Sequence, residues 1–415
     1  MSDIFSSEFF SDNRAKLRQL FTGTAPIVIT ANGLLQRGSD SAYPFHQDAN
    51  FWYLTGIDDP DIILVMDKDK EYLIVPKRDG SRQAFDGAID DQVLLRRSGV
   101  QVVYDDKEGW RQLNSRLKRA KHVATVAAAP AYIEQHGIYT NPARERLIKS
   151  IKDTQPKLEL LDLTHHLVVM RMTKQAPELI AIQQAIDITV DTLKAVTRPI
   201  QLTKYAHEYE LEAAITQGFR SRGAHGHAFE PVVASGHRAC TLHNVANNGQ
   251  LASDELVVLD VGAEVEHYAA DITRTVALGN PSKRQQAVYA AVLEVQEYAK
   301  SLLKPGVFIR EYEQQVEQFM GEKLRALGLI KNIAHDEVRA YYPHATSHFM
   351  GLNVHDAGDY SLPLTPGMVL TVEPGIYIPA EGIGIRIEDD ALVTTDGIDI
   401  LSSRLPRELS SPTIK

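Results

Sequence analysis

Five side chains able to bind hard cations interrupt apolar stretches in the second half of this 415-residue sequence. Asp260 ends Val257-Val258-Leu259, Asp271 directly precedes Ile272, Glu373 closes MVLTVE, and Glu388 closes IRIE. His348 lies in PHATSHFMGLNVHD, with His344 and His355 on either side, and a fourth histidine, His243, lies in CTLHNVANN. A carboxylate at an interior strand position is costly unless an opposite charge or a metal compensates it. An exposed acidic cluster would have charged neighbours, whereas these residues follow or precede Val, Leu and Ile. Two aspartates, two glutamates and one histidine supply oxygen and nitrogen donors without sulfur. That set suits Mn²⁺, Co²⁺, Mg²⁺ or Zn²⁺. Four carboxylates exceed what one divalent ion needs. Two ions about 3.5 Å apart, sharing bridging carboxylates, would balance them and trap a hydroxide able to attack a carbonyl.

The elements that must position these residues change character along the chain. PIVITA, DIILVM and EYLIVP are short β-branched or aliphatic runs bounded by turn formers, and EGWRQLNSRLKRA reads as a helix among them. Residues 1–168 are therefore expected to form a small α/β domain. The first 21 residues read as an amphipathic helix with Phe9, Phe10, Leu17, Leu20 and Phe21 on one side. Residues 169–415 form a second domain. Helices are expected from about Lys174 to Val196, Ala206 to Arg220, Ser282 to Leu302 and Ile309 to Leu327. The third opens with a capping-box pattern, Ser282 and Gln285. Between and after them lie the strand candidates ELVVLDVG, GMVLTVEP and GIGIRIEDDALVTT. VVLDVGAEVEHYAADITRTV, residues 257–276, reads as a hairpin of two strands. The whole domain reads as an α+β arrangement, a largely antiparallel sheet covered by helices.

Composition narrows the function classes. The chain is 44% hydrophobic and 24% charged, as soluble globular proteins are. A net charge of −10 argues against a nucleic-acid partner. No apolar run reaches the roughly 18 residues of a membrane span, and the acidic N-terminus lacks the layout of a secretory signal. The single cysteine, Cys240, rules out an intrachain disulfide and a thiolate metal site, and fits a cytoplasmic location.

The order Asp260, Asp271, His348, Glu373, Glu388 is similar to that of the dinuclear metallopeptidases with the pita-bread fold, family M24. HATSHFMGLNVHD closely resembles the signature of their proline-peptidase branch. SDSAYPFHQDANFWYLTGIDDPD resembles the N-terminal domain of bacterial aminopeptidase P. The resemblance spans nearly the whole chain, and DVGAEVEHYAADITRT together with VEPGIY is close to diagnostic. It implies a C-terminal pita-bread catalytic domain preceded by a smaller, creatinase-N-like α/β domain. It also implies an exopeptidase that uses a hydroxide bridging two divalent metals to release the residue before a proline. By the same resemblance Asp260 chelates one ion, Asp271 and Glu388 bridge both, and His348 and Glu373 complete the other ion's shell. Glu373 would relay the proton to the leaving proline nitrogen. His243 and His355 would contact the scissile region, His344 would wall the proline pocket, and Arg386 would balance charge or touch substrate. Asp40, in SDSAYP, aligns with an acidic residue at the mouth of the site. Mn²⁺ is the expected metal, with Co²⁺ or Zn²⁺ as alternatives, and a homodimer or homotetramer is expected. The chain departs from the family pattern at Asn244, Ala345 and Phe85, positions that bear on substrate length. Prolidase, which splits Xaa-Pro dipeptides, is the neighbouring alternative. A non-catalytic peptide-binding pita-bread protein is a remote one, and methionine aminopeptidase is more remote still.

Overall fold

Strand β1 (Ile27–Thr30) carries three consecutive buried aliphatic residues, which places it inside a sheet rather than at its rim. The computed structural model describes residues 4–68, 70–77, 80–126 and 137–409. They divide into two compact units at Met170/Arg171. In the first unit, β1 is joined by β2 (Ile63–Asp67), β3 (Lys70–Val75), β4 (Val102–Asp105), β5 (His122–Thr125) and β6 (Glu159–Asp162). They form one six-stranded sheet in the order β4-β3-β2-β1-β5-β6. The pairs β1–β2 and β2–β3 are antiparallel, while β3–β4, β1–β5 and β5–β6 are parallel. One core joins Val28, Val65 and Ile74 of the sheet to Leu113, Leu117, Leu147 and Ile151 of helices Asp106–Leu117 and Ala143–Thr154. Each such side chain contributes about 1.5–3 kcal/mol through the area it removes from water.

The first helix, Ser7–Leu20, buries Phe9, Phe10 and Leu17 as the pattern requires. Leu20 is 41% exposed, and Phe21 lies past the helix end, where the backbone has already turned extended. The covered face instead includes Arg14. Its guanidinium donates to the carbonyls of Leu54 and Ser98, each at 2.8 Å, and to Glu71 at 2.8 Å.

In the second unit the expected helices are Ala176–Val196, Glu208–Ser221, Lys283–Leu302 and Ile309–Ala326. The capping box of the third is made: Ser282 Oγ accepts from the Gln285 amide at 3.1 Å, and the Ser282 amide donates to Gln285 Oε1 at 2.7 Å. The strands differ from the sequence reading in two places. Residues 257–276 are four strand segments rather than two: β9 (Leu256–Val261), β10 (Ala263–Val265), β11 (Tyr268–Ala269) and β12 (Ile272–Ala277). The outer pair β9–β12 belongs to one three-stranded sheet with β8 (Val232–Ser235). The inner pair β10–β11 belongs to another with β7 (Gly226–His227). The break falls at Gly262, where a Cβ atom would sit 1.7 Å from the Ala270 carbonyl oxygen. Only glycine allows that approach.

The second difference lies in GIGIRIEDDALVTT. It forms β15 (Ile383–Arg386) and β16 (Asp389–Val393), separated at Ile387–Glu388. β15 pairs with β14 (Gly375–Ile378), while β16 lies between β13 (Val369–Val372) and β17 (Ile398–Ile400). Every strand pairing described in this unit is antiparallel. The single sheet expected from the sequence is thus a set of short ladders, and the acidic residues sit where the chain passes from one ladder to the next.

Candidate metal centre

Alternation along two ladders gathers the carboxylates. In β9–β12, Asp260 pairs with Thr273 and Val261 with Ile272. Side chains two residues apart share a face, so Asp260, Thr273 and Asp271 project to one side. In β13–β16, Thr371 pairs with Asp390 and Val372 with Asp389. The same alternation carries Glu373 and Glu388 past the ladder's end on the face of Thr371 and Asp390. The two ladders meet through the Glu388 amide, which donates to the Thr273 carbonyl at 3.0 Å. The Asp271 amide donates to Asp390 Oδ2 at 3.2 Å. The Thr273 hydroxyl donates to Glu388 Oε2 at 2.6 Å.

His348 arrives from a segment without regular structure and is tied to the same ladder. Its amide donates to Thr371 Oγ1 at 3.2 Å. Its Nε2 lies 3.3 Å from Glu373 Oε1 and 3.4 Å from Asp271 Oδ2. The segment is held from outside by Glu313, on helix Ile309–Ala326. The Glu313 carboxylate accepts from the Thr346 amide at 2.9 Å, the Thr346 hydroxyl at 2.9 Å and the Ser347 amide at 3.1 Å. Tyr312, one residue before it, places its hydroxyl 2.9 Å from Ser347 Oγ.

The remaining histidines surround this group. His344 Nε2 is 2.9 Å from the Tyr377 hydroxyl, and its Nδ1 is 3.8 Å from Glu373 Oε2. The His355 ring, solvent-exposed, packs at 73° against that of His348 with centroids 4.2 Å apart. His243 is also exposed, and it lies near enough to His344 and His355 for its charge to disfavour theirs. Arg386 is buried, at 4% exposure. Its guanidinium donates to Asp260 Oδ2, to the Tyr377 hydroxyl at 2.7 Å and to Thr273 Oγ1 at 3.2 Å. Asp40 belongs to the first unit, where it is exposed on a turn closed by a Gln36–Ala42 bridge. Phe85, also in the first unit, is 87% exposed.

Burial and mutual repulsion shift the titration of this group. Burial first, then the nearby Asp260 and Glu373 carboxylates, push the Asp271 carboxyl well above the usual range. Burial followed by Asp271 and Asp260 does the same to Glu388. Burial followed by Glu388 raises Glu373. Burial lowers His348 to about 4, so its imidazole is neutral near pH 7 and free to act as a donor to a metal. Burial, then the Arg386 charge, lowers His344 to about 3. Among the described residues, three buried carboxylate oxygens here, Asp260 Oδ1, Glu388 Oε1 and Asp390 Oδ1, have no hydrogen-bond partner. Asp271, His348 and Glu388 each offer a donor atom, all within 4.8 Å of one another. Unpartnered carboxylate oxygens beside one arginine, with a neutral imidazole among them, fit hard divalent cations in both donor type and charge.

The sequence reading passed over Thr273, Thr371, Tyr377, Glu313 and Asp390. The two threonines carried a signal: Asp271-x-Thr273 and Thr371-x-Glu373 repeat with the period of a strand, so each shares a face with a carboxylate. Asp390 and Tyr377 carried the same alternation with Glu388 and Gly375. Glu313 carried none, being one of several charged residues on a helix.

Comparison with known proteins agrees with this geometry. Residues 180–395 match the model of metallopeptidase family M24, and residues 10–126 match that of the aminopeptidase P N-terminal domain. The chain is 35% identical to human Xaa-Pro aminopeptidase 3, over 92% of this chain and 79% of that protein. It is 32% identical to the Xaa-Pro aminopeptidase of Escherichia coli, over 98% of this chain and 97% of that one. A solved structure of Zn-substituted E. coli aminopeptidase P in complex with product superposes with a TM-score of 0.84 at 31% identity, covering 97% of this chain and 96% of that chain. With both domain models matched in order, the chain belongs to metallopeptidase family M24, as a pita-bread domain preceded by an aminopeptidase P N-terminal domain.

Proposed function

We propose that this protein is a metal-dependent Xaa-Pro aminopeptidase, removing the N-terminal residue from peptides whose second residue is proline. The observation that carries the reading is the meeting of two ladders that brings Asp260, Asp271, Glu373 and Glu388 around His348, with buried carboxylate oxygens left unpartnered. Names of relatives that cover nearly the whole chain supply the substrate class. An Xaa-Pro bond is a tertiary amide without an N–H and with a fixed φ, which sites that need an extended, hydrogen-bonded substrate handle poorly.

In this reading Asp260, Asp271 and Glu388, together with His348 and Glu373, would hold two divalent ions, as the family resemblance implies. When bound, the ions supply Lewis acidity toward the scissile carbonyl and the attacking water. Glu373 takes a proton from that water and passes it to the departing proline nitrogen. His243 and His355, on the open side, donate hydrogen bonds to the carbonyl oxygen as it gains charge. His344, held by Tyr377, walls the proline side, and Arg386 fixes the Asp260 carboxylate. Mn²⁺ is the proposed metal, with Co²⁺ or Zn²⁺ as alternatives. The proposal extends to a cytoplasmic homodimer or homotetramer, supported by the lone Cys240 and by the family pattern.

Turnover of an Xaa-Pro dipeptide against an Xaa-Pro-Xaa tripeptide, with Mn²⁺, Co²⁺ or Zn²⁺ added in turn, tests the reading. Tripeptide cleavage that releases the first residue is expected. Activity confined to the dipeptide would make the protein a prolidase instead, and no activity with any metal would overturn both.

A further inference from the structure

We propose that Arg238 is a positioning residue: it latches the two ends of the loop that carries His243, and so sets where that imidazole stands. The inference rests on the proposed contact between His243 and substrate. Residues 241–248 form no helix or strand, so their placement is decided at their ends. Both ends converge on one guanidinium. Arg238 Nη2 donates to the Gln250 carbonyl at 2.9 Å, on the far side of the loop, and to Ser235 Oγ at 2.6 Å on the near side. Its Nε donates to Glu208 Oε1 at 2.7 Å.

Glu208 is fully buried and binds both ends as well. Its Oε1 accepts from the Ser235 amide at 2.8 Å, and its Oε2 accepts from the Gly249 amide at 2.7 Å. Gly249 lies against the guanidinium so closely that a Cβ there would fall 2.0 Å from Arg238 Nε. Hydrogen bonds between charged partners are shorter and stronger than neutral ones, and a planar fork holds its geometry. The loop is therefore closed by a charged clasp, with Glu208 as its fixed half and Arg238, about one-third exposed, as its outer half. A second tie acts within the loop. The buried Asn247, at φ +43°, accepts from the Val233 amide at 2.9 Å and donates to the Pro231 carbonyl at 2.8 Å. Between these ties His243 is exposed and reaches the neighbourhood of His344 and His355. Displacing a substrate-contacting group by about 1 Å can cost up to a hundredfold in rate.

The test combines a double-mutant cycle with hydrogen exchange. Arg238→Ala, His243→Ala and the double variant are assayed with the Xaa-Pro-Xaa tripeptide, and amide exchange is followed in the metal-free proteins. Arg238→Ala is expected to speed exchange at residues 241–250 and to lower kcat about tenfold or more, with KM changed less than about twofold. In the His243→Ala background the same substitution should cost nothing further, because contacts that act through one residue are not additive. Arg238→Lys should recover part of the loss. Should Arg238→Ala fail to fold, Gly249→Ala displaces the same guanidinium without deleting it and should give the same pattern. Equal losses in both backgrounds, or unchanged exchange at 241–250, would overturn the latch. If His243→Ala is as active as the parent, the role proposed for His243 fails, and the exchange result alone decides whether Arg238 holds the loop.

Discussion

The Thr273 hydroxyl lies 2.6 Å from Glu388 Oε2 and also accepts from Arg386 Nε at 3.2 Å. A chain of hydrogen bonds therefore runs from the arginine through the threonine to the glutamate. Thr273 is fully buried and paired with Asp260 across the ladder, so its side chain has no freedom to leave that position. Groups that orient metal ligands in this way commonly hold about 10- to 100-fold of metal affinity. Thr273→Val keeps the shape and removes the hydroxyl. Calorimetric titration of the metal-free variant with Mn²⁺ should show weaker binding by about that factor. Unchanged affinity would mean that Glu388 is held by its backbone alone.

The raised carboxyls and lowered histidines predict opposite pH limbs for the metal-free protein. Asp271, Glu373 and Glu388 have folded-state values above those of the unfolded chain, near 4. Their contribution is complete below pH 4 and is lost as pH rises through the raised values. His344 and His348, at about 3 and about 4, lie below the unfolded value near 6.5. Their contribution is present above pH 6.5 and is lost as pH falls toward 4. Thermal unfolding of the metal-free protein should therefore weaken on both sides of mildly acidic pH. Metal competes with protons for these raised carboxyls, so binding should release more protons as pH falls toward the usual carboxylate range, and should abolish the alkaline limb. At a hundredfold excess over Kd it should add about 2.7 kcal/mol. Titration in buffers of different ionisation enthalpy reads the proton release directly, and a release that does not grow as pH falls would contradict the assignment.

Among the described residues, Arg386 is the arginine or lysine paired with Asp260, whose side chain is 14% exposed. Arg386→Met would leave a buried carboxylate uncompensated, a change that typically costs about 3–5 kcal/mol. Urea unfolding of the metal-free variant should show that loss, and added Mn²⁺ should recover more stability than in the parent because the ion replaces the missing charge. Arg386→Lys should recover little, since one ammonium cannot reach Asp260, Tyr377 and Thr273 together. A variant as stable as the parent without metal would show the pair to be dispensable.

Asp260, Asp271, Glu373 and Glu388 were legible because each broke an aliphatic run, a signal that periodicity alone exposes. The helices were legible for the same reason, helped by the Ser282–Gln285 cap. Where Glu388 sits was not. GIGIRIEDDALVTT is continuously strand-forming, and propensity does not report that a chain leaves one ladder for another at Ile387. Leu20 matched the helical stripe but fell where the helix ends and its cover stops. Arg14, Glu208 and Glu313 were illegible in a stronger sense. Each reads locally as a solvated helix charge. Arg14 and Glu208 are buried and Glu313 is half-buried, and all three bind backbone groups brought in from distant parts of the chain. Such residues are specified by tertiary structure, not by their neighbours in sequence.

Gly262 offers the sharpest test of how the hairpin brings its acids together. It follows Asp260 by two residues, and the segment opposite it ends at Asp271. Here the two arms pinch: the Gly262 carbonyl accepts from Ala228 at 2.8 Å, and the Ala270 amide donates to Ala263 at 3.0 Å. A methyl group at 262 would overlap the Ala270 carbonyl oxygen, a backbone atom that cannot swing aside as a side chain can. Gly262→Ala must therefore part the arms and move Asp271 relative to Asp260. Overpacking of this kind costs about 1–3 kcal/mol, and the displaced ligand should cost metal affinity besides. Ala270→Gly, which leaves the carbonyl in place, should not rescue it. Thermal unfolding and Mn²⁺ titration of Gly262→Ala should both show losses. Normal metal affinity in a merely destabilised variant would mean that the pinch serves folding and not the centre.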